Sequence, residues 1–141
     1  MDLMVEDLVE IIKKHLSPDL LKKEYREENK NNPMFGHCYV ATETLFHLIN
    51  QYSDHSLLLN FRPYWGKDER GITYWWLQND SNHELNILDV TKDQYYQNGK
   101  EPPYQNGRKG AFLTKYASNR ALTLLQRVKT ELNEKGIEKI Y

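Results

Sequence analysis

Apolar residues recur along this chain at two periods, and the alternation between those periods sketches a fold. Val5, Leu8, Val9, Ile12 and Leu16 fall on one helical stripe. Ser17-Pro18-Asp19 reads as an N-cap followed by proline at the first helical position, opening a short second helix through Tyr25. The polar run from Arg26 to Asn32 predicts a loop. A third helix starts at Cys38, with Ala41, Leu45, Leu48, Ile49 and Tyr52 as its buried stripe and Cys38 at the stripe's upper edge. Glu43, His47, Asn50 and Asp54 then occupy its wet face. Leu57 to Tyr64 predicts a strand, and Gly66 to Gly71 a turn. Ile72 to Gln78 is a second strand, apolar or aromatic on both faces and therefore central. Asp80-Ser81-Asn82 turns the chain into a third strand, Glu84 to Val90, and Thr91 to Gln94 suggests a short helix. The proline- and glycine-rich segment from Gln97 to Gly110 predicts only loop. Ser118 caps a last helix with the stripe Ala121, Leu124, Leu125, Val128 and Leu132. The expectation is an α+β domain: N-terminal helices, a cysteine-bearing helix, an antiparallel meander of three or more strands, and a C-terminal helix.

Composition narrows the partners. The chain of 141 residues is long enough for one core and shows no linker or repeat, so residues 1–141 read as a single domain. Its 19 basic and 20 acidic residues nearly cancel, which leaves no global field to draw in nucleic acid or an anionic membrane. A single cysteine excludes an intramolecular disulfide and a cysteine-rich metal site, and suits a reducing cytoplasm. No apolar stretch approaches the ~20 residues needed to span a bilayer.

That cysteine is the residue with the most chemistry to offer. Cys38 follows a loop ending in Gly36, at a helix N-terminus, where the dipole and loose N–H groups favour a nucleophilic thiolate. A buried, space-filling cysteine is the plainer alternative. A nucleophilic thiol needs a base within hydrogen-bond reach and a group that orients the base. His47 lies nine residues along the same helix, about 13.5 Å away by the helical rise, and its spacing from Glu43 suggests an exposed pair. His37 adjoins Cys38 and should diverge from it; His15, His55 and His83 fall in polar surroundings. No two histidines have the spacing of a zinc helix, so neither a metal site nor a cofactor is expected. Among the aromatics, Trp75 and Trp76 could line a cleft for a planar ligand or simply fill the core. Arg62, on the first strand, could point into that cleft, and Arg108 and Lys109 could meet a phosphate or carboxylate. Gly107 to Gly110 lacks the spacing of a phosphate-binding loop.

Several blocks in order carry a resemblance: Gly36-His37-Cys38-Tyr39-Val40-Ala41-Thr42-Glu43, Thr73-Tyr74-Trp75-Trp76-Leu77, and Ile87 to Tyr95. The later blocks are Pro102-Pro103-Tyr104, Gly107 to Thr114 and Ser118 to Ala121. Together they resemble a small family of phage and bacterial proteins related to the YunG-like proteins, over residues 33 to 128. Its order of cysteine, histidine and aspartate blocks is similar to that of papain-like and transglutaminase-like enzymes. The resemblance implies that architecture, with Cys38 as nucleophile and Asp89 as orienting acid. The departure is at Tyr74, where the family's block carries histidine. A hairpin centred between Ser81 and Asn82 would oppose Tyr74 and Asp89 directly, with Cβ atoms about 5 Å apart. Tyrosine, with an ordinary pKa near 10, is a poor base at neutral pH.

Two functions follow as expectations. One is a cysteine-dependent acyl-transfer hydrolase acting on a peptide or amide, with Cys38, Tyr74 and Asp89 at its centre and His37, His83 or water as base. The other is a catalytically silent phage or mobile-element protein that binds a small ligand or a host protein through the aromatic cleft, for instance to sequester a factor of host defence.

Overall fold

A computed structural model describes residues 1–79 and 86–141. The architecture is mixed α+β, with helices on a four-stranded antiparallel sheet. In chain order the elements are β1 (Asp2–Leu3), α1 (Val5–Lys14), α2 (Arg26–Asn29), α3 (Cys38–Tyr52), α4 (Ser56–Leu59), β2 (Phe61–Lys67) and β3 (Thr73–Asn79). They continue with β4 (Ile87–Leu88), α5 (Asp93–Tyr96), β5 (Arg108–Lys109), α6 (Asn119–Glu134) and β6 (Lys139–Ile140). The sheet order is β4-β3-β2-β5, and β1 pairs in parallel with β6 in a separate two-stranded ribbon.

The long helices follow their apolar stripes. Leu8, Ile12, Ala41, Leu45, Leu48, Ala121, Leu124, Val128 and Leu132 are fully buried in one cluster, which also takes in Phe61 and Leu77 from the sheet. Helix α3 is its centre, packing on α1, α6, β2 and β3. Short elements depart from the sequence pattern. The expected second helix is two 3₁₀ turns, Pro18–Leu20 and Lys23–Tyr25, and the expected loop after it carries the single turn of α2. The first strand starts only at Phe61, because Ser56–Leu59 closes a helical turn with the His55 ring nitrogen accepting from the Leu57 N–H at 3.3 Å. The segment expected to be only loop contains a 3₁₀ turn, Tyr104–Asn106, and β5, whose Arg108 stands opposite Trp65. The β1–β6 ribbon is too short to leave a period in the sequence. The expected turn at Asp80-Ser81-Asn82, the start of the third strand and His83 lie outside the described residues.

The register of β3 with β4 decides what meets what. Leu77 stands opposite Leu88 and Gln78 opposite Ile87, two residues out of step with the expected hairpin. A slip of two keeps every side chain on its face, whereas a slip of one would reverse them all. Tyr74 and Asp89 therefore still share a face, as diagonal rather than direct neighbours.

The wet face expected of α3 is partly dry. Glu43 is fully buried and reaches the start of α6, where its carboxyl oxygens accept from the Ser118 hydroxyl at 2.7 Å and the Ser118 N–H at 3.2 Å. Ser118 in turn caps α6, accepting from the Ala121 N–H at 3.4 Å. An acidic group set against the positive end of α6 offsets part of its burial cost. His47 is half-buried, its ring stacked on Phe112 at 6.4 Å rather than exposed beside Glu43. Replacing Glu43 by alanine removes both acceptors and leaves a void, so a loss of about 2–4 kcal/mol in unfolding free energy is expected. Ser118→Ala should cost about 1–2 kcal/mol; urea denaturation of the two variants checks the ranking.

Candidate functional site

The chain reaches Cys38 through a turn that only glycine fits. Gly36 has φ of 84°, and a Cβ there would lie 2.8 Å from Leu21 Cδ2 and 3.0 Å from Tyr25 Cβ. Asn29 braces the same loop, its buried side-chain amide donating to the carbonyls of Phe35 at 2.9 Å and Pro33 at 3.0 Å. The helix then begins at Cys38, against β3.

The thiol is half-buried and sits on the edge of that strand. Asn79 donates to Asn86 across the β3–β4 pair, so alternate residues back along β3, including Trp75 and Thr73, turn their backbone groups to that same side. Strand β4 is too short to reach them. The sulfur meets these exposed groups: Sγ lies 3.9 Å from the Thr73 carbonyl, to which it donates, and the Trp75 N–H is directed at it. Burial pushes the Cys38 thiol up to about 12, and the neighbouring Asp89 carboxylate adds to the push, while the Trp75, Tyr39 and Cys38 N–H groups oppose it. Desolvation outweighs the helix dipole at this position, so the thiolate expected from sequence is replaced by a neutral thiol.

Tyr74 and Asp89 do come together. The Tyr74 hydroxyl donates to Asp89 Oδ1 at 2.6 Å and lies 3.1 Å from Thr91 Oγ1. The Thr91 N–H donates to the same carboxyl oxygen at 3.1 Å, and Tyr104 donates to Oδ2 at 2.7 Å. Three donors thus meet one buried acid in a box walled by Trp76, Tyr95 and Tyr104; Tyr95 meets Tyr74 edge-on at 4.8 Å, and Tyr104 meets Trp76 edge-on at 5.1 Å. Burial raises Asp89 to about 6, against the pull of the two tyrosines and the Thr91 N–H. Burial and the adjacent carboxylate push the Tyr74 phenol well above its ordinary value, which removes it as a base.

The cleft opens beside Thr73 and Trp75 of β3, and Cys38, which also packs against the Tyr74, Trp76 and Tyr95 cluster, stands between the two. The cleft has a volume of about 590 Å³ and is bordered by Cys38, Tyr39, Phe35, Ile72 and Trp75, among others. Trp75 stacks on Phe112 at 6.1 Å and meets Tyr39 edge-on at 5.1 Å. Of the candidate residues, Cys38 and Trp75 border this cleft, and Tyr74, Trp76 and Asp89 do not. Trp76 is fully buried beside Tyr74. Arg62 is turned onto the carbonyls of Leu59 at 2.7 Å and Phe61 at 3.0 Å, which ties down the start of β2. Arg108 and Lys109 form the outer strand β5, with the Arg108 guanidinium 6.0 Å from the Trp65 ring. No described histidine borders the cleft. His37 is buried at the head of α3 with neither ring nitrogen hydrogen-bonded, and burial holds its pKa down at about 4.

The pattern did not single out Asn29, Thr91, Gln94 or Tyr104 as working residues. Asn29 acts on the bent backbone just after it, and Tyr104 and the Thr91 hydroxyl meet partners 15 or more residues away, so neither kind of contact leaves a period in the sequence. Among the described residues no cluster of potential ligands suits a metal ion, and no helix is long and apolar enough to cross a membrane. Comparisons with family models, curated proteins and solved structures give no match to this chain.

Two titration results are expected. Alkylation of Cys38 by iodoacetamide at pH 8 should run on the order of 10³-fold slower than for an ordinary thiol, and should still be climbing at pH 10. For Asp89, the folded state holds its proton more tightly than the unfolded chain does. Its contribution to stability is therefore full below pH 4 and falls as pH rises to about 6. His37 titrates in the opposite sense, so the Asp89 part is read as the difference between wild type and Asp89→Asn in urea midpoints. Tyr74→Phe removes a donor to the charged acid and should move the upper end of that window above pH 6, with a loss of about 1–3 kcal/mol at pH 7.

Proposed function

We propose that this protein is a papain- or transglutaminase-like cysteine-hydrolase relative that binds a ligand in its aromatic cleft and does not turn it over. The observation that carries this reading is the 2.6 Å bond from the Tyr74 hydroxyl to Asp89. Acyl transfer by a thiol needs an imidazole between sulfur and acid, to take the thiol proton and later return it to the leaving group. A phenol held above its ordinary pKa takes no proton at neutral pH, and Asp89 has both oxygens occupied by other donors. Cys38 then serves the fold, as a neutral donor closing the edge of β3. A cleft of about 590 Å³ with aromatic walls is the size and character of a small-molecule site. The lone unpaired cysteine fits a reducing, cytoplasmic setting. Sequestration of a small factor, such as one used in host defence, is a role such a binder can fill.

The expected outcome with an activated ester such as p-nitrophenyl acetate is that wild type and Cys38→Ala release nitrophenol at the same rate. A burst of one equivalent in wild type, absent from Cys38→Ala, would overturn the binding reading in favour of acyl transfer. Tyr74→His restores an imidazole beside Asp89 and should speed alkylation of Cys38 at pH 7 by 10-fold or more. An unchanged thiol titration in that variant would count against a hydrolase ancestry for this arrangement.

A further inference from the structure

The cleft's charged groups are all of one sign. Its charged residues are Lys22 and Arg120, both cationic, and no carboxylate borders it. Both are exposed, and among the described residues neither forms an ion pair. Elsewhere on the surface Arg127 is matched with Asp19 and Lys139 with Asp54, whereas the cleft offers no acid to match these two. A third group is also unsatisfied. Gln94 is 5% exposed and borders the cleft, and its buried Oε1 has no hydrogen-bond partner. A buried amide oxygen left without a donor costs about 1–3 kcal/mol. The backbone carbonyl of the same residue accepts from Asn32 at 3.0 Å, which anchors Gln94 while its Oε1 stays unpaired.

Resting on the reading that this cleft binds rather than hydrolyses, we infer that its ligand is a small organic anion built on a flat heteroaromatic ring with an N–H edge. Each part of that description answers a group on the page. The ring lies against Trp75, whose aromatic surface borders the cleft. An N–H on the ring's edge, in the ring or on an exocyclic amino group, donates to the unpaired oxygen of Gln94. The anionic group, a phosphate ester or a carboxylate, takes the field of Lys22 and Arg120. Leu113, at 86% exposure, adds an apolar rim to the cleft. The volume of about 590 Å³ suits a molecule of mononucleotide size.

Two anions separate the possible sources of this chemistry, each measured against its neutral counterpart by titration calorimetry on the full chain. Adenosine 5′-monophosphate is compared with adenosine, and indole-3-acetate with indole-3-ethanol. At least one anion should bind, at least 10-fold more tightly than its neutral partner, and the better of the two identifies the source as phosphate ester or carboxylate. Arg120→Gln and Lys22→Gln, both at exposed positions that leave the core untouched, should each weaken that anion by 5-fold or more while leaving the neutral counterpart unchanged. Gln94→Leu should weaken anion and neutral compound alike. Neutral compounds binding within 3-fold of the anions, or both cation variants binding as wild type does, would overturn the anionic ligand while leaving a binding cleft in place. No heat from any of the four compounds at millimolar concentration would overturn it as well. The reading beneath it fails by a different measurement, the Cys38-dependent ester burst.

Discussion

A buried carboxyl group that accepts from three donors organises the centre of this protein. Asp89 joins the end of β4 to Tyr74 on β3, to Tyr104 in the long loop and to the backbone at Thr91. Each donor comes from a different segment, and each bond offsets part of the cost of taking the acid out of water. Burial still wins, since Asp89 keeps its proton to about pH 6. The tyrosines are held as firmly as the acid, which fixes Trp76 and Tyr95 around them. Gly107 belongs to this arrangement, because a Cβ there would come within 2.6 Å of the Trp76 ring. The box is therefore a structural unit first, and its resemblance to a catalytic pair lies in position more than in chemistry.

Strand β3 sends alternate side chains to that box and to the cleft, and Cys38 touches both. Its Tyr74 and Trp76 side chains fill the box, while Trp75 borders the cleft, as alternation along a strand requires. Cys38 stands at the strand's edge, where β4 stops short of Thr73 and Trp75. Open edge groups are a liability in a sheet, and here a helix start and a thiol cover them. Partial burial in the same place pushes the thiol pKa up to about 12. An acyl-transfer centre needs that sulfur charged and an imidazole beside it; the local physics works against the first and Tyr74 removes the second. What remains accessible is a largely apolar hollow bordered by Lys22 and Arg120, on which the proposed binding role rests.

Polar residues inside the helical layer follow the same logic at longer range. Glu43 turns the start of α6 toward α3 by accepting from Ser118, and Asn29 folds the loop that delivers Cys38. Both are buried polar groups whose partners are supplied by distant parts of the chain or by bent backbone.

The sequence by itself determined the long elements and the class of fold. Stripes of leucine, isoleucine and valine at helical spacing specify α1, α3 and α6 because burying a continuous apolar face dominates their energetics, and Ser118 marked a helix start that the structure keeps. The two-sided apolar run marked β3 as central for the same reason. Face parity survived a two-residue slip in register, so Tyr74 and Asp89 could be paired from sequence although their alignment could not. Tertiary structure alone decided the rest. Whether Glu43 is wet or dry depends on α6 arriving beside it, and whether Cys38 is charged depends on how much water the neighbouring strand edge excludes. The placing of Arg62 on backbone carbonyls, and of Lys22, Gln94 and Arg120 around one hollow, brings together residues far apart in the chain. No local period records such meetings, because they are set by the closing of loops and not by the preference of any single segment.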